Sequence, residues 1–325
     1  MVTIQEIYKP IEQNLQEFDK YFDTLLSSDI EIVEQIIKYL SKTKGKQIRP
    51  ILVLLTSQLF SPIKHNTYVA AAMLELFHNA TLIHDDVVDE ADKRRGYVTI
   101  NNIWSNQTAI LIGDFFLAKG LISALDHNEF EFLKATSHAI QLMSEGELLQ
   151  IQKSNEIDLS EETYFRIIRG KTASLISTCC KLGAIAGGAC VDDINALSDF
   201  GDHVGIAFQI RDDILDFIGD PEVTGKTPGN DLKEKKLTLP ILFALKQTSE
   251  EQANKYLSLI KEEKLTQADI DEIIQFVIDK KGIDYAQEVS NSYINKAMDI
   301  INAFPESEAR NSLIKFADFI IQRNK

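Results

Sequence analysis

Asp85, Asp86 and Asp89 stand at the end of a long apolar run that begins near Ala70, in the string LIHDDVVDEADKRRG from Leu82 to Gly96. A helix there places Asp85 and Asp89 at i and i+4, so their carboxylates share one face a turn apart, with Asp86 to one side. Like charges at that spacing cost a helix roughly a few tenths of a kcal/mol, and more where solvent is scarce. A bound cation reverses the sign of that cost. Lys93, Arg94 and Arg95 follow, with Gly96 as the expected helix stop. Carboxylates beside a basic cluster suit a polyphosphate bridged by Mg²⁺. The plainer reading is an amphipathic helix that surfaces at its C-terminal end, where basic residues complement the dipole. A second copy of the pattern weighs against it. Asp212, Asp213 and Asp216 close another apolar helical run, in FQIRDDILDFIGD. Two acidic faces of equal spacing, turned toward each other, would make a cup of carboxylates for several Mg²⁺ ions and one diphosphate.

DDxxD twice, the first followed by Arg-Arg-Gly, resembles the trans-isoprenyl diphosphate synthases, also called polyprenyl synthetases. The resemblance runs from about Gly45 to Pro240; the last 80 or so residues share only helical character with that family. It implies the isoprenoid synthase type I fold, all-α, with the site in a central cavity between facing helices. It also implies that the six aspartates bind metal, with three Mg²⁺ ions in place once substrate is bound and Mn²⁺ as a substitute. Lys46, Arg49, His78 and Arg95 would hold isopentenyl diphosphate without metal. Arg94, Lys171, Lys226 and Lys236 would hold an allylic diphosphate. Lys171, Thr172, Gln209 and Lys226 would act at the reacting end. Family members are usually homodimers.

The residues themselves bear on each assignment. In GKQIRP, Pro50 suits a first helical turn, so Lys46 and Arg49 sit at a helix N-terminus. Cations there oppose the dipole, whereas a bound anion would use both the side chains and free backbone N–H groups. The alternative is two solvated charges in a loop. Gln47 stands where the family often has arginine. His78 lies two turns before Asp85 on about the same face; a lone helical histidine otherwise serves as a structural hydrogen bonder. His84 reads as a neighbour of the aspartates. Gly170 weakens or kinks a helix beside Lys171 and Thr172. Gln209 precedes Asp212 by three. Glu147 and Gln150, in SEGELLQ, read either as polar neighbours of the metals or as a surface stripe. Gly113-Asp114 reads as packing and helix-end structure, and Trp104 as a core or interface aromatic. After Asp216 comes the longest irregular loop, about a dozen residues, of a length that often forms a lid. Lys226 and Lys236 belong to it. Asp231 resembles an acid at a helix start, and Lys233 and Lys235 look like solvated charges.

Product length is the next question. Ala80 and Thr81, five and four residues before Asp85, are small, whereas short-product relatives carry bulky aromatics near here. A tail channel along this helix would pass them to reach Phe77, Leu76 and Met73, with Phe77 as a stop. HNATLIHDDVVDEADKRRG most resembles long-chain members, the hexa-, hepta- and octaprenyl diphosphate synthases that supply quinone side chains. Ala80 also reads simply as a helix former in a packed interface.

Composition agrees with a helical enzyme. Only 15 glycines and 7 prolines punctuate 325 residues, and 44% hydrophobic content fills a sizeable core. Periodicity predicts helices near 4–26, 29–43, 50–60, 65–90, 101–125, 129–151, 160–188, 191–219, 233–246, 251–262, 267–280, 283–303 and 307–323, without strands. One domain over 1–325 is expected. A net charge of −15 argues against nonspecific binding to nucleic acid or anionic membrane. Cys179, Cys180 and Cys190 lack metal spacing and fit a cytoplasmic protein. The polar N-terminus is unlike a signal peptide, and Lys181 breaks the most apolar stretch, so membrane contact is expected only transiently, through a lipid product.

The expected activity is Mg²⁺-dependent elongation of farnesyl or geranylgeranyl diphosphate by successive condensation with isopentenyl diphosphate, giving a medium- or long-chain all-trans product. The alternatives are a short-chain synthase, a subunit of a heteromeric synthase, and a class I terpene cyclase. Cyclases usually carry an Asn/Ser/Glu-type second motif, and regulatory subunits tend to lose their aspartates; this chain keeps all six.

Overall fold

The computed structural model describes residues 2–43, 45–94, 96–156, 160–219, 228–262 and 264–322. Helices dominate throughout. The first half contains α1 (Ile4–Tyr8), α2 (Glu12–Leu26), α3 (Glu31–Lys42), α4 (Ile48–Gln58), α5 (His65–Val88), the short α6 (Ile100–Ile103), α7 (Asn106–Asp126) and α8 (Phe130–Glu156). Next come α9 (Glu161–Ile168), a π-helical turn (Arg169–Ala173), α10 (Ser174–Gly187) and α11 (Val191–Ile218). The C-terminal part holds α12 (Asn230–Lys233), α13 (Leu239–Lys246), α14 (Glu250–Lys261), α15 (Gln267–Asp279), α16 (Gly282–Asn302) and α17 (Glu308–Gln322).

α5 is the central element. Val69 to Leu74, Leu76, Phe77 and Ala80 are all buried, so the helix is apolar nearly all round, as a helix enclosed by others must be. It packs on α4, α7 and α10. The α5–α7 contact is antiparallel and tight. A Cβ on Gly113 would lie 2.2 Å from Nε2 of His84, and one on Gly120 would lie 3.5 Å from the Phe77 ring. Gly113 is thus a packing glycine, as expected, but it sits mid-helix and not at a helix end. Trp104 stacks edge-on against Tyr39, with centroids 5.8 Å apart. α11 packs on α10 and α16. Beneath its second half, Ile206, Ile210 and Ile214 join Tyr164, Ile168, Leu239 and Leu242 in an apolar cluster.

Four expectations need correction. The segment 4–26 is two helices, because Pro10 opens a short 3₁₀ turn and has no N–H to continue an α-helix. The first acidic helix stops at Val88, with Glu90 at φ 49 beyond it. Gly96 therefore does not end that helix; at φ 82 it turns a small hairpin in which Lys93 pairs with Val98 and Arg94 with Tyr97. The segment 233–246 is broken between α12 and α13, with Lys235 at φ 57 and Pro240 in the first turn of α13. Finally, α7, and not the stretch around Lys181, is the described helix long and apolar enough to cross a bilayer, by length and composition alone. One side of it packs against α5; Leu111, Ile122 and Leu125 are exposed on the rest.

Candidate active site

Glycine positions set the distances in the site. A Cβ on Gly170 would come within 2.7 Å of the Leu142 carbonyl, and one on Gly146 within 3.0 Å of the Lys171 amide. Only paired glycines let α8 cross the π-helical turn so closely. The crossing brings Lys171 Nζ to 2.6 Å from Oε1 of Glu147. On the other flank, a Cβ on Gly205 would lie 2.5 Å from Cα of Ala173. This close approach of α11 lets the Thr172 hydroxyl donate to Oε1 of Gln209 at 2.7 Å. The π turn itself adds one residue to the helix; the Ser174 N–H bonds back to the Arg169 carbonyl. Such bulges recur at functional sites because they re-aim side chains. The weakening expected at Gly170 thus takes the form of a π turn.

Gln209 passes the contact on. Its amide donates to Oδ1 of Asp213 at 2.9 Å, and the buried Tyr164 hydroxyl donates to Oδ2 at 2.6 Å. Both oxygens of Asp213 are held by neutral donors. Burial pushes the Asp213 carboxyl well up from its usual range, with the charge of Asp231 adding to the effect. The Asp216 carboxylate turns outward and accepts from the backbone N–H groups of Asn230 at 3.1 Å and Asp231 at 3.0 Å. It thereby fixes the start of α12 and sets Asp231 beside the cluster. Asp212 is half-buried one residue before Asp213.

Across the site, Asp85 is half-buried and its carboxyl is pushed up to about 6, by burial first and by the charge of Glu147 second. Lys171 and Arg94 oppose that rise. Asp86 is buried and accepts from Nε of Arg94 at 2.7 Å. Its carboxyl is also raised by burial, with the Arg94 contact working against it. Asp89 caps α5 and is exposed. The charges of Glu147 and Lys171 reach Asp85 from α8 and the π turn, so both motifs border the same region of the bundle.

A cavity of about 200 Å³ lies beside the second motif, lined by Lys171, Gln209, Asp213, Tyr164, Gln150 and Lys236 among others. Burial works to lower the Lys236 ammonium, but its ion pair with Glu234 and the charges of Asp231 and Asp89 together leave it raised. Lys235, expected as a solvated charge, also lines this cavity; its Nζ donates to the Lys261 carbonyl at 3.2 Å. A second cavity of about 110 Å³ is lined by Asp86, Arg94, Gln47, Phe18, Phe22 and Phe116 among others.

The residues assigned to isopentenyl diphosphate are distributed as follows. Arg49 lies in the first turn of α4, and His78 is buried on α5. Lys46 is exposed just before α4, with Nζ 5.6 Å from the Phe319 ring centroid. Gln47 donates to Asp19 at 2.8 Å, so its side chain ties the loop to α2. Arg95 and Lys226 lie outside the described residues. Leu76, Phe77 and Ala80 are buried, and the Thr81 hydroxyl donates to the His78 carbonyl at 2.9 Å. These four chain-length candidates line neither cavity. His84 turns toward α7, with Nε2 3.2 Å from the Ile110 carbonyl. Tyr164 was not among the residues singled out from the sequence. Its only sequence signal is its place two turns before Lys171, and its partner is 49 positions away.

A family model described as Polyprenyl synthetase matches residues 30–277. An octaprenyl diphosphate synthase of Haemophilus influenzae is 33% identical over 324 residues, spanning 100% of this chain and 98% of that one. A protein of Bacillus subtilis named heptaprenyl diphosphate synthase component 2 is 35% identical, covering 97% of this chain and 90% of its own length. Among solved structures, a polyprenyl synthase of Caulobacter crescentus, described as complexed with calcium and isoprenyl diphosphate, superposes with a TM-score of 0.92 at 30% identity. The overlap covers 100% of this chain and 99% of that one. With a matching family model, full-length relatives and the bundle in agreement, the chain belongs to the polyprenyl synthetase family.

Proposed function

We propose that this protein is a Mg²⁺-dependent trans-prenyltransferase that extends an allylic diphosphate with isopentenyl diphosphate and releases diphosphate. The observation that carries this reading is the meeting of the two aspartate motifs with Lys171, Glu147, Thr172 and Gln209 in one region of the bundle. The Asp85 and Asp213 carboxylates are each destabilised by burial and by a neighbouring acid, Glu147 or Asp231. A cluster of hard oxygen donors that disfavours its own charge fits a divalent cation of the Mg²⁺ class. When bound, such an ion supplies charge neutralisation to the departing diphosphate.

The protein's own groups do the rest. Lys171, held by Glu147, can exchange that partner for a diphosphate oxygen as negative charge develops there. Arg94 and Lys236 would serve the same task, exchanging Asp86 and Glu234 for diphosphate oxygens. The allylic C–O bond breaks and its electron pair leaves with the diphosphate. The π bond of isopentenyl diphosphate attacks the resulting cation and forms a C–C bond. A proton is then lost to the released diphosphate. The Thr172–Gln209 pair presents a polar oxygen near the reacting carbons without offering a nucleophile of its own.

A medium- or long-chain product fits the small side chains of Ala80 and Thr81, a turn before Asp85. Relatives at similar identity range from short-chain to octa- and nonaprenyl synthases, so length rests on these two residues. The name of the Bacillus subtilis relative favours one second reading, a subunit of a heteromeric synthase. We favour a homodimer, because α7 and α8 expose an apolar face that includes Leu111 (60% exposed), Ile122, Leu125, Phe130 (62%) and Leu148 (66%).

Purified protein with Mg²⁺, isopentenyl diphosphate and farnesyl diphosphate, with an EDTA control, would test all of this by mass spectrometry of the products. A metal-dependent ladder ending at one long length supports the reading. A stop at geranylgeranyl keeps the reaction and rejects the long product. Folded protein that makes no product alone points to a missing partner chain.

A further inference from the structure

His65 and His127 lie away from the site described above. His65 is the first residue of α5, and His127 caps the C-terminus of α7. Antiparallel packing brings these helix ends together, with Nε2 of one ring 3.1 Å from Nε2 of the other. The ring centroids are 5.0 Å apart and the planes tilt by 46°. That separation is shorter than two imidazoles set end to end would give, so the two nitrogens converge on one point. Nδ1 of His127 lies 2.7 Å from the Ser123 carbonyl, which can only accept. The contact fixes the proton on Nδ1 and turns the Nε2 lone pair toward His65. Tyr21 packs edge-on against His65 at 5.1 Å, and its hydroxyl bonds the Ser123 hydroxyl at 3.0 Å. A backbone carbonyl behind the far nitrogen is the arrangement that orients metal-ligating histidines.

We propose that His65 and His127 together bind one divalent transition-metal ion of the Zn²⁺, Ni²⁺ and Cu²⁺ class. At a metal–nitrogen distance of about 2.05 Å, nitrogens 3.1 Å apart subtend about 98° at the ion, and opening by about 0.3 Å reaches the tetrahedral angle. Both rings are exposed. No third His, Cys, Asp or Glu joins the pair among the described residues, so water fills the remaining positions. In the metal-free pair, the Nε2–H of His65 donates to Nε2 of His127. On binding, that proton moves through solvent to Nδ1 of His65, and the neutral pair releases none. Imidazole nitrogens favour this class of ion over Mg²⁺, which the aspartates suit. His65 precedes Asp85 by 20 residues of α5, about 30 Å at the helical rise. The ion would pin the start of α5 to the end of α7, far from the reacting groups.

Cu²⁺, added in excess Mg²⁺ and read by electron paramagnetic resonance, tests the assignment. The wild type is expected to show coupling to two nitrogens, and His65→Ala and His127→Ala each to lose it. The gentler His65→Gln keeps a hydrogen-bonding group and guards against loss of fold, which circular dichroism monitors. Ni²⁺ is expected to raise the melting temperature of the wild type by a few degrees and that of the double alanine variant not at all, with prenyl transfer unchanged in metal-free buffer plus Mg²⁺. Two-nitrogen coupling that persists in the double variant, oxygen-only coordination in the wild type, or an equal Ni²⁺ shift in both proteins would each overturn the proposal.

Discussion

The two aspartate motifs share a spacing, yet their surroundings treat them differently. In each, the second aspartate is the buried one. Asp86 faces a cation, the Arg94 guanidinium, at 2.7 Å. The hydrogen bonds to Asp213 among the described residues come from neutral donors, Tyr164 and Gln209. The first motif ends at the exposed Asp89, whereas the second ends at Asp216, whose carboxylate organises the start of α12. The first motif thus comes with part of its charge already balanced and one carboxylate open to solvent. The second buries Asp213 among neutral donors and ties Asp216 to the start of α12. Identical motifs need not be equal partners: the groups facing a carboxylate decide how strongly it calls for a cation.

The largest test removes a motif aspartate. Asp85→Ala or Asp212→Ala should each lower turnover by about 10²–10⁴-fold while leaving helical circular dichroism intact; near-normal turnover in either would end the metal-cup reading. A smaller change separates the two motifs. Tyr164→Phe removes one neutral donor from Asp213 and should raise the Mg²⁺ concentration for half-maximal activity about tenfold, as loss of an outer-shell partner usually does. Arg94→Met should instead raise KM for the allylic substrate more than it alters the Mg²⁺ requirement. If both variants shift the same parameter equally, the contrast between the motifs is wrong.

Product length gives the next test. Ala80→Phe should shorten the product without abolishing turnover, and an unchanged distribution would mean that the tail does not pass residue 80. The smallest expected effect concerns pH. The folded-state acidity of Asp85, about 6, lies above its ordinary value of 3.8, so the folded protein holds this proton more tightly than the unfolded chain does. The resulting stability is fully present below the ordinary value and is lost as pH rises through about 6. Metal-free Asp85→Asn should therefore melt above the wild type at pH 8 and level with it near pH 4. A gap that persists at pH 4 would point to a packing effect instead of charge.

Much of the site is legible in the chain because its residues are local. Asp85 and Asp89 are one helical turn apart, and so are Gln209 and Asp213; the glycine beside Lys171 announces a helix distortion. The exceptions have identifiable physical causes. Gly96 reads as a helix stop because glycine favours positive φ at helix ends and at hairpin turns alike, and only the pairing of Arg94 with Tyr97 distinguishes them. Glu147 reads as either surface or site because its helix face is ambiguous until Gly146 and Gly170 meet. Lys235 looks solvated in the string KEKK, yet its position after the turn of α12 brings it to the cavity wall.

The sequence by itself determined the helical class, the two aspartate motifs and the family, because short-range spacing and residue type carry that information. Only the tertiary structure decided that Tyr164 holds Asp213, that Glu147 holds Lys171, and that His65 meets His127. Each of these contacts joins separate segments, and its distance is set by how closely two helices can approach. That approach depends on what stands at the crossing, such as glycine at 146, 170 and 205, and no periodicity within a single helix reports it.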